Sequence, residues 1–166
     1  MVKNVAKNNP NVEKCGIYDR KGCSKVLFGG YDHSIDKKGR IAIPSKLRDI
    51  LGTELVIAQS FTGKECICLY SKEEWQKVVD ILISAPTTTT SEIKRFLGDA
   101  TFNVEYDSQG RILIPPPLRE FANLENEAHI IGVITNLEIW NKDAWEAEKK
   151  NTTLQSIASL AQSLGL

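Results

Sequence analysis

Two short windows of the sequence hold the residues whose types and spacing could do chemistry. Residues 36–48 read DKKGRIAIPSKLR, and residues 107–119 read DSQGRILIPPPLR. In each window an Asp is followed by a Gly and then directly by an Arg, as in Asp36, Gly39 and Arg40. An Arg leaving a tight turn can form an ion pair with the turn carboxylate, or it can bond bidentately to guanine or clamp a phosphate. The pattern predicts one of these two roles and leaves both open.

The tips of the two predicted turns differ in charge. Lys37 and Lys38 stand in the first turn where Ser108 and Gln109 stand in the second. Cations at a turn tip favour phosphate contacts, with a solvated loop as the alternative. Gln109 could donate to a base edge or be solvated. The first turn is therefore expected to make the larger electrostatic contribution.

Positive charge is concentrated around the first window. Residues 37–48 contain five cations and no acid. Arg48 and Arg119 each follow a Leu near the end of their window, and we interpret them as structural partners of nearby carboxylates. The net charge is +4 over residues 1–25 and −4 over residues 26–166, so the part of the chain that contains this window is mildly acidic as a whole. This distribution disfavours an indiscriminate polyanion binder.

The flanking patterns predict the elements that position the two turns. Apolar and polar residues alternate over 31–36 and 102–107, as in half-buried strands. Asp36 and Asp107 can accept backbone N–H bonds across each turn, while Gly39 and Gly110 can take the positive φ it requires. A short return strand follows each glycine and stops at proline.

The two windows belong to a longer internal repeat with an offset of 71 residues. Half of a 166-residue chain buries too little surface to be stable alone, so the copies are expected to share one core. The predicted organisation is an extension at 1–26 that is poorly ordered, a first unit at 27–84, a linker at 85–91, a second unit at 92–150 and a C-terminal helix at 151–166. The apolar stripe of that helix is expected to pack on a neighbouring subunit.

Composition and motifs argue against several other functions. No apolar run approaches the roughly 18 residues of a membrane span, and residues 1–14 lack a signal-peptide stretch, so no membrane partner and a cytoplasmic location are predicted. No nucleophile–histidine pair, HExxH motif or phosphate-binding glycine loop is present, and an enzyme is not expected. No cofactor or small-molecule ligand is predicted.

The cysteine spacing disfavours a metal site. Cys15 and Cys23 are too far apart for a zinc knuckle, whereas Cys66 and Cys68 are too close. Cys66 and Cys68 share one face of an apolar strand, where reduced cysteine behaves as a small hydrophobic residue. We therefore predict buried free thiols and no metal.

The segments FGGYDHSIDKKGRIAIPSKLRDIL, DSQGRILIPPPLREFANL and LEIW resemble the MraZ family of bacterial transcriptional regulators, which carry two AbrB-like units per chain. The resemblance runs from about residue 27 to about residue 145. It implies a mainly β fold with flanking helices (α+β), in which two homologous repeats build a tandem swapped-hairpin-type β-barrel. It also implies ring assembly and sequence-specific binding to double-stranded promoter DNA of a cell-division and cell-wall gene cluster, and hence association with the nucleoid.

The site predicted from the repeat and the resemblance has two parts. The predicted DNA-contacting residues are Lys37, Lys38, Arg40, Gln109 and Arg111. The predicted structural turn residues are Asp36, Gly39, Asp107 and Gly110. The alternative function is a ring-forming interaction scaffold that binds no specific DNA sequence.

Overall fold

A computed structural model describes residues 26–166. The prediction of a poorly ordered extension therefore falls, apart from residue 26, outside the described residues, as do Cys15 and Cys23. Within 26–166, no helix is long and apolar enough to cross a membrane.

Eight strands and six helices make up the described part of the chain. The strands are β1 (Gly30–Ser34), β2 (Arg40–Ala42), β3 (Leu55–Gln59), β4 (Ile67–Ser71), β5 (Thr101–Val104), β6 (Arg111–Leu113), β7 (Glu127–Gly132) and β8 (Asn136–Asn141). The helices are α1 (Ser45–Leu51), α2 (Lys72–Ser84), α3 (Thr87–Asp99), α4 (Pro116–Phe121), α5 (Lys142–Asn151) and α6 (Leu154–Ser163).

The two copies of the repeat exchange their first strands. The main sheet is antiparallel, with the order β1-β7-β8-β4-β3-β5, so that β1 of the first copy pairs with β7 of the second and β5 of the second pairs with β3 of the first. The return strands β2 and β6 pair with each other in a separate two-stranded ribbon. This interleaving confirms the predicted α+β, AbrB-like arrangement of two repeats.

The main sheet is open rather than closed into a barrel by its hydrogen bonds. Its edge strands are β1 and β5. After each edge strand the chain turns and enters the β2–β6 ribbon, so the two edges do not pair with each other. The swapped pairing is thus as expected from the resemblance, while the strict barrel closure is absent from the sheet that the structure describes.

One hydrophobic core joins both copies. Its largest members are fully or almost fully buried in pairs related by the repeat, including Ile41 with Ile112 and Leu47 with Leu118. Burying side chains of this size contributes about 1.5–3 kcal/mol each relative to leaving them exposed. Because each copy supplies half of every such pair, neither copy has a complete core of its own.

Most of the predicted linker is helical. α2 ends at Ser84 and α3 begins at Thr87, so only Ala85 and Pro86 separate the two helices. Pro86 occupies the N-cap position, and the Thr90 hydroxyl donates to the Pro86 carbonyl at 3.2 Å. Threonine lowers helix propensity, but packing of α3, in which Leu97 is buried, outweighs that preference. The predicted unit boundaries themselves remain a prediction.

Candidate nucleic-acid interface

The two turns are built by the same hydrogen bonds. In the first turn, Asp36 Oδ1 accepts from the backbone N–H groups of Lys38 and Arg40, both at 2.9 Å. In the second, Asp107 Oδ1 accepts from the backbone N–H of Gln109 at 2.9 Å and of Arg111 at 3.0 Å. Each aspartate carboxylate therefore closes its own turn as the sequence predicted, and neither backbone depends on the side chains at the tip.

Both turn glycines have a positive φ, +79° at Gly39 and +72° at Gly110. A second constraint comes from the other copy of the repeat. A Cβ placed on Gly39 would lie 2.7 Å from Cζ of Arg119, and one on Gly110 would lie 2.5 Å from Cζ of Arg48. The backbone conformation thus favours glycine at both positions, and a side chain there would also have to displace the guanidinium lying across the turn.

The two turn arginines and the two turn aspartates form one cluster of four charges. Arg40 donates from Nε to Asp36 Oδ2 at 2.8 Å, and its Nη2 lies 2.8 Å from the same oxygen. Arg111 pairs with Asp107 Oδ2 in the same way, at 2.8 and 2.7 Å. Two longer contacts cross between the copies: Arg40 Nη1 to Asp107 Oδ2 at 3.5 Å and Arg111 Nη1 to Asp36 Oδ2 at 3.6 Å.

This geometry confirms the turn ion pairs that the sequence left as one of two alternatives. The Nε–Nη2 edge of each guanidinium is occupied by its own aspartate. The side chains of Arg40 and Arg111 remain 29% and 25% exposed, so each is still partly accessible to solvent. Their first role is therefore to hold the two turns in place and to join them.

Backbone hydrogen bonds and the turn arginines together lower the pKa of both carboxylates. The backbone N–H of Arg40, followed by its guanidinium, lowers the pKa of Asp36. The Arg111 guanidinium, followed by its backbone N–H, lowers the pKa of Asp107 to about 2. At neutral pH the cluster thus contains two positive and two negative charges and is electrically neutral.

We call residues 36–40 and 107–111 together the double-turn surface. At its tips, the side chains of Lys37, Lys38, Ser108 and Gln109 are all exposed. Neither Lys37 nor Lys38 forms a side-chain hydrogen bond or ion pair with another residue in the described range 26–166. Because the cluster beneath is neutral, these two lysines supply the net positive charge of the double-turn surface.

Arg48 and Arg119 do not have the role that the sequence suggested. Within residues 26–166, neither forms an ion pair with a carboxylate; instead, Arg48 Nε donates to the Ile43 carbonyl at 3.0 Å, and its guanidinium lies 5.9 Å from the centre of the Tyr106 ring. Nε of Arg119 is buried and has no hydrogen-bond partner in the part of the chain that the structure describes. The interpretation as carboxylate partners is wrong because each Arg crosses to the turn glycine of the other copy.

The only sequence signal for this crossing is the recurrence of Leu-Arg at the same distance after each turn glycine. Two further arginines therefore support the double-turn surface from below, one under each turn. Sequence reasoning found these residues but not the groups that they touch.

Comparison with known proteins gives a consistent family assignment. The family model described as "MraZ protein, putative antitoxin-like" matches twice in succession, over residues 26–95 and 96–164. The protein named Transcriptional regulator MraZ from Acetivibrio thermocellus is 41% identical over 145 residues, covering 85% of this chain and 100% of that protein. The protein of the same name from Caldicellulosiruptor saccharolyticus is 38% identical with the same coverage.

A third relative, Transcriptional regulator MraZ from a Thermoanaerobacter species, is 40% identical over 84% of this chain and 96% of its own length. Among solved structures, the solution structure of PHS018 from Pyrococcus horikoshii covers 69% of this chain and 91% of that one, at 15% identity and a TM-score of 0.29, a likeness too weak to bear on the fold. The two successive family matches cover the interleaved copies and both turns, and the chain belongs to the MraZ family.

Proposed function

We propose that this protein is a transcription regulator that binds double-stranded DNA through the double-turn surface. The observation that carries the proposal is a pair of exposed lysines, Lys37 and Lys38, whose side chains have no partner among residues 26–166, on a turn held rigid by the four-charge cluster. A rigid turn presents its cations at a low entropic cost on binding. The relatives named as transcriptional regulators support the same function.

The five predicted DNA-contacting residues divide into two roles. Lys37 and Lys38 bind phosphates, and Gln109 donates to or accepts from a base edge. Arg40 and Arg111 act mainly as positioning residues, because their Nε–Nη2 edges are occupied by aspartates. Only the exposed part of each side chain is left for DNA, so bidentate use of the Nε edge is not expected.

Several protein copies would be needed for useful specificity, since one double-turn surface reaches few base edges. α6 supports such assembly: its apolar side chains are exposed, with Leu154 at 91% and Leu160 at 60%, and Leu164 just after it is 76% exposed. We propose that this stripe packs on a neighbouring subunit in a ring.

The identical double-turn surfaces of such a ring would bind repeated elements in the promoter of a cell-division and cell-wall gene cluster. Avidity would convert weak binding by one subunit into tight binding on the nucleoid.

The test exchanges the tip of the first turn for that of the second. The variant Lys37→Ser with Lys38→Gln removes two charges without touching the four-charge cluster. Fluorescence anisotropy with promoter DNA should show weaker binding and a salt dependence whose slope is shallower by about 0.9 for each phosphate that is no longer neutralised. The matched control, Lys149→Ser with Lys150→Gln on α5, makes the same charge change far along the chain and should bind normally.

DNA binding by the tip lysines and assembly through α6 can be refuted separately. If the tip variant binds as tightly as the unmodified protein, with the same salt slope, the lysines do not bind DNA. If the unmodified protein assembles but promoter DNA binds no better than unrelated DNA, the scaffold alternative is correct. Removal of α6 by a stop after residue 152 should reduce the particle size in light scattering, and an unchanged size would refute its role in assembly.

A further inference from the structure

Two buried thiols and a carboxylate meet at the centre of the main sheet. Cys66, directly before β4, and Cys68, within it, are 0% and 3% exposed and form no disulfide. Glu138 is on the neighbouring strand β8, directly opposite Cys68 in the strand register. One potential ligand atom from each of the three residues lies within 4.8 Å of the other two.

These thiols do not belong to the main hydrophobic core. Side chains alternate along a strand, and Ile67 and Leu69, the neighbours of Cys68, are both core residues at 0% exposure. Cys66 and Cys68 therefore lie on the opposite face of the sheet, together with the Glu138 carboxylate. A carboxylate beside two thiols is not explained by apolar packing, which is the role that the sequence predicted for the cysteines.

The carboxylate is also held in position. Trp140 donates from Nε1 to Glu138 Oε2 at 2.8 Å, and within residues 26–166 the other carboxylate oxygen accepts no hydrogen bond. A hydrogen bond of this kind orients a metal-binding carboxylate. Glu138 and Trp140 also line a surface cleft of about 630 Å³ with Lys64 and Trp145, so an ion can approach the carboxylate from solvent.

The donor set matches one class of ion. Two sulfur ligands and one carboxylate oxygen suit Zn²⁺, which takes four ligands at about 2.0–2.3 Å in a tetrahedron. Sulfur atoms in such a tetrahedron are about 3.8 Å apart, and the oxygen is slightly closer, by the same bond lengths. The three ligand atoms now lie within 4.8 Å of one another, so they would move up to about 1 Å closer together to reach that geometry. The fourth ligand would be a water molecule or the hydroxyl of Ser60, a buried residue whose backbone N–H donates to the Cys66 carbonyl.

We propose that Cys66, Cys68 and Glu138 bind a thiophilic divalent cation of the Zn²⁺ type. The site lies where the two copies meet, because Cys68 on β4 of the first copy faces Glu138 on β8 of the second. The bound ion ties the central strands of the two copies together. Cysteine spacing alone could not indicate this site, since its third ligand comes from the second copy.

The experiment uses the full chain, reduced, with Cys15→Ser and Cys23→Ser so that Cys66 and Cys68 are its only thiols. Titration with Co²⁺ should produce thiolate-to-cobalt charge-transfer absorption that saturates at one ion per chain and is removed by Zn²⁺. Cys68→Ala should abolish this absorption. Trp140→Phe, which removes the donor to Glu138 and keeps an aromatic ring beside Trp145, should weaken metal binding by about 10–100-fold.

Glu138→Gln gives a test that does not depend on a cysteine variant folding. Zn²⁺ should raise the thermal midpoint of the two-thiol protein, and Glu138→Gln should reduce that increase, whereas Glu127→Gln on β7 should not. Absence of thiolate–cobalt absorption in the reduced chain would overturn the proposal. So would absorption that Cys68→Ala leaves intact, or a Zn²⁺-dependent midpoint that is the same in Glu138→Gln.

Discussion

The first and second turns have the same backbone geometry and different tips. Asp36 and Asp107 accept equivalent backbone hydrogen bonds, and the glycines that follow differ in φ by only 7°, from +79° to +72°. The tips, in contrast, carry two lysines in one turn and Ser and Gln in the other. Shape and charge are therefore controlled by separate residues: Asp, Gly and Arg determine the turn, and the two residues between Asp and Gly determine what it presents.

The supports beneath the two turns are similar but unequal. Arg48, below the second turn, is anchored by its bond to the Ile43 carbonyl and lies near the Tyr106 ring. Arg119, below the first turn, has a buried Nε that finds no hydrogen-bond partner among residues 26–166. The second turn thus rests on a fixed guanidinium and the first on one that can shift more easily, which leads to different expectations for equivalent substitutions.

The largest difference is expected from alanine at the turn glycines. Gly110→Ala places a Cβ 2.5 Å from Cζ of the anchored Arg48 at a positive φ, and should lower the free energy of unfolding by about 1–3 kcal/mol. Gly39→Ala should cost less, because Arg119 can move away. Urea unfolding measures both.

The control for these variants is Gly63→Ala, where φ is +80° but nothing lies within 4 Å of the new Cβ. It isolates backbone strain, so the additional cost of Gly110→Ala reports the clash with Arg48. Equal destabilisation in all three variants would show that the crossed arginines do not constrain the turns.

The next effect concerns the tips. Ser108→Lys with Gln109→Lys gives the second turn the charge of the first and should strengthen DNA binding, with a salt slope steeper by about 0.9 for each additional phosphate that is neutralised. Stability should change by no more than about 0.5 kcal/mol, because the tip side chains are exposed. Anisotropy titrations at several salt concentrations measure the slope, and an unchanged slope would mean that the second turn does not approach the phosphates.

A smaller effect is expected when lysine replaces the supporting arginines. Arg48→Lys removes the Nε bond to Ile43 and should lower the free energy of unfolding by about 0.5–1.5 kcal/mol. Arg119→Lys removes no Nε hydrogen bond and should be closer to neutral. Thermal or urea unfolding distinguishes the two, and a larger destabilisation in Arg119→Lys would reverse the inferred inequality between the supports.

The smallest effect is a contribution to acid stability shared by both turns. The pKa of Asp107 is about 2 in the folded chain and about 3.9 in an unfolded one, so between these values the unfolded chain binds more protons. Its stabilising contribution is complete above about pH 4 and is lost as the pH falls towards 2. Asp107→Asn should therefore flatten the fall of the thermal midpoint over this range.

Asp36→Asn should act in the same direction, because the pKa of Asp36 is also lowered. Asp99→Asn, which removes a carboxylate at the exposed end of α3, serves as the matched control. If the turn variants and the control have the same acid profile, the four-charge cluster contributes nothing to acid stability.

Sequence reasoning succeeds where the information is local. The alternating strands, the turn aspartates and the positive φ of Gly39 and Gly110 all depend on residues within a few positions of each other. The repeat adds the conclusion of a shared core, which the paired burial of Ile41 and Ile112 confirms.

What the sequence could not provide depends on interactions between the copies. Arg48 and Arg119 could each lie against the turn glycine of their own copy or of the other copy. The hydrophobic pattern is the same in both cases, so the sequence could not show which glycine each arginine contacts. The meeting of Cys68 with Glu138 has the same origin. The threonines at the start of α3 resemble a linker in sequence because local propensity does not include the packing that stabilises the helix.

The exchange of first strands within a single polypeptide has a consequence for the direction in which DNA is recognised. Two separate identical chains folded in this way would carry the same tip twice and could bind a duplex equally well in either orientation. Because the two copies are joined in one chain, Lys37 and Lys38 can occupy the tip of the first turn while Ser108 and Gln109 occupy the tip of the second. If the double-turn surface binds DNA as proposed, one subunit would therefore distinguish the two ends of its binding site.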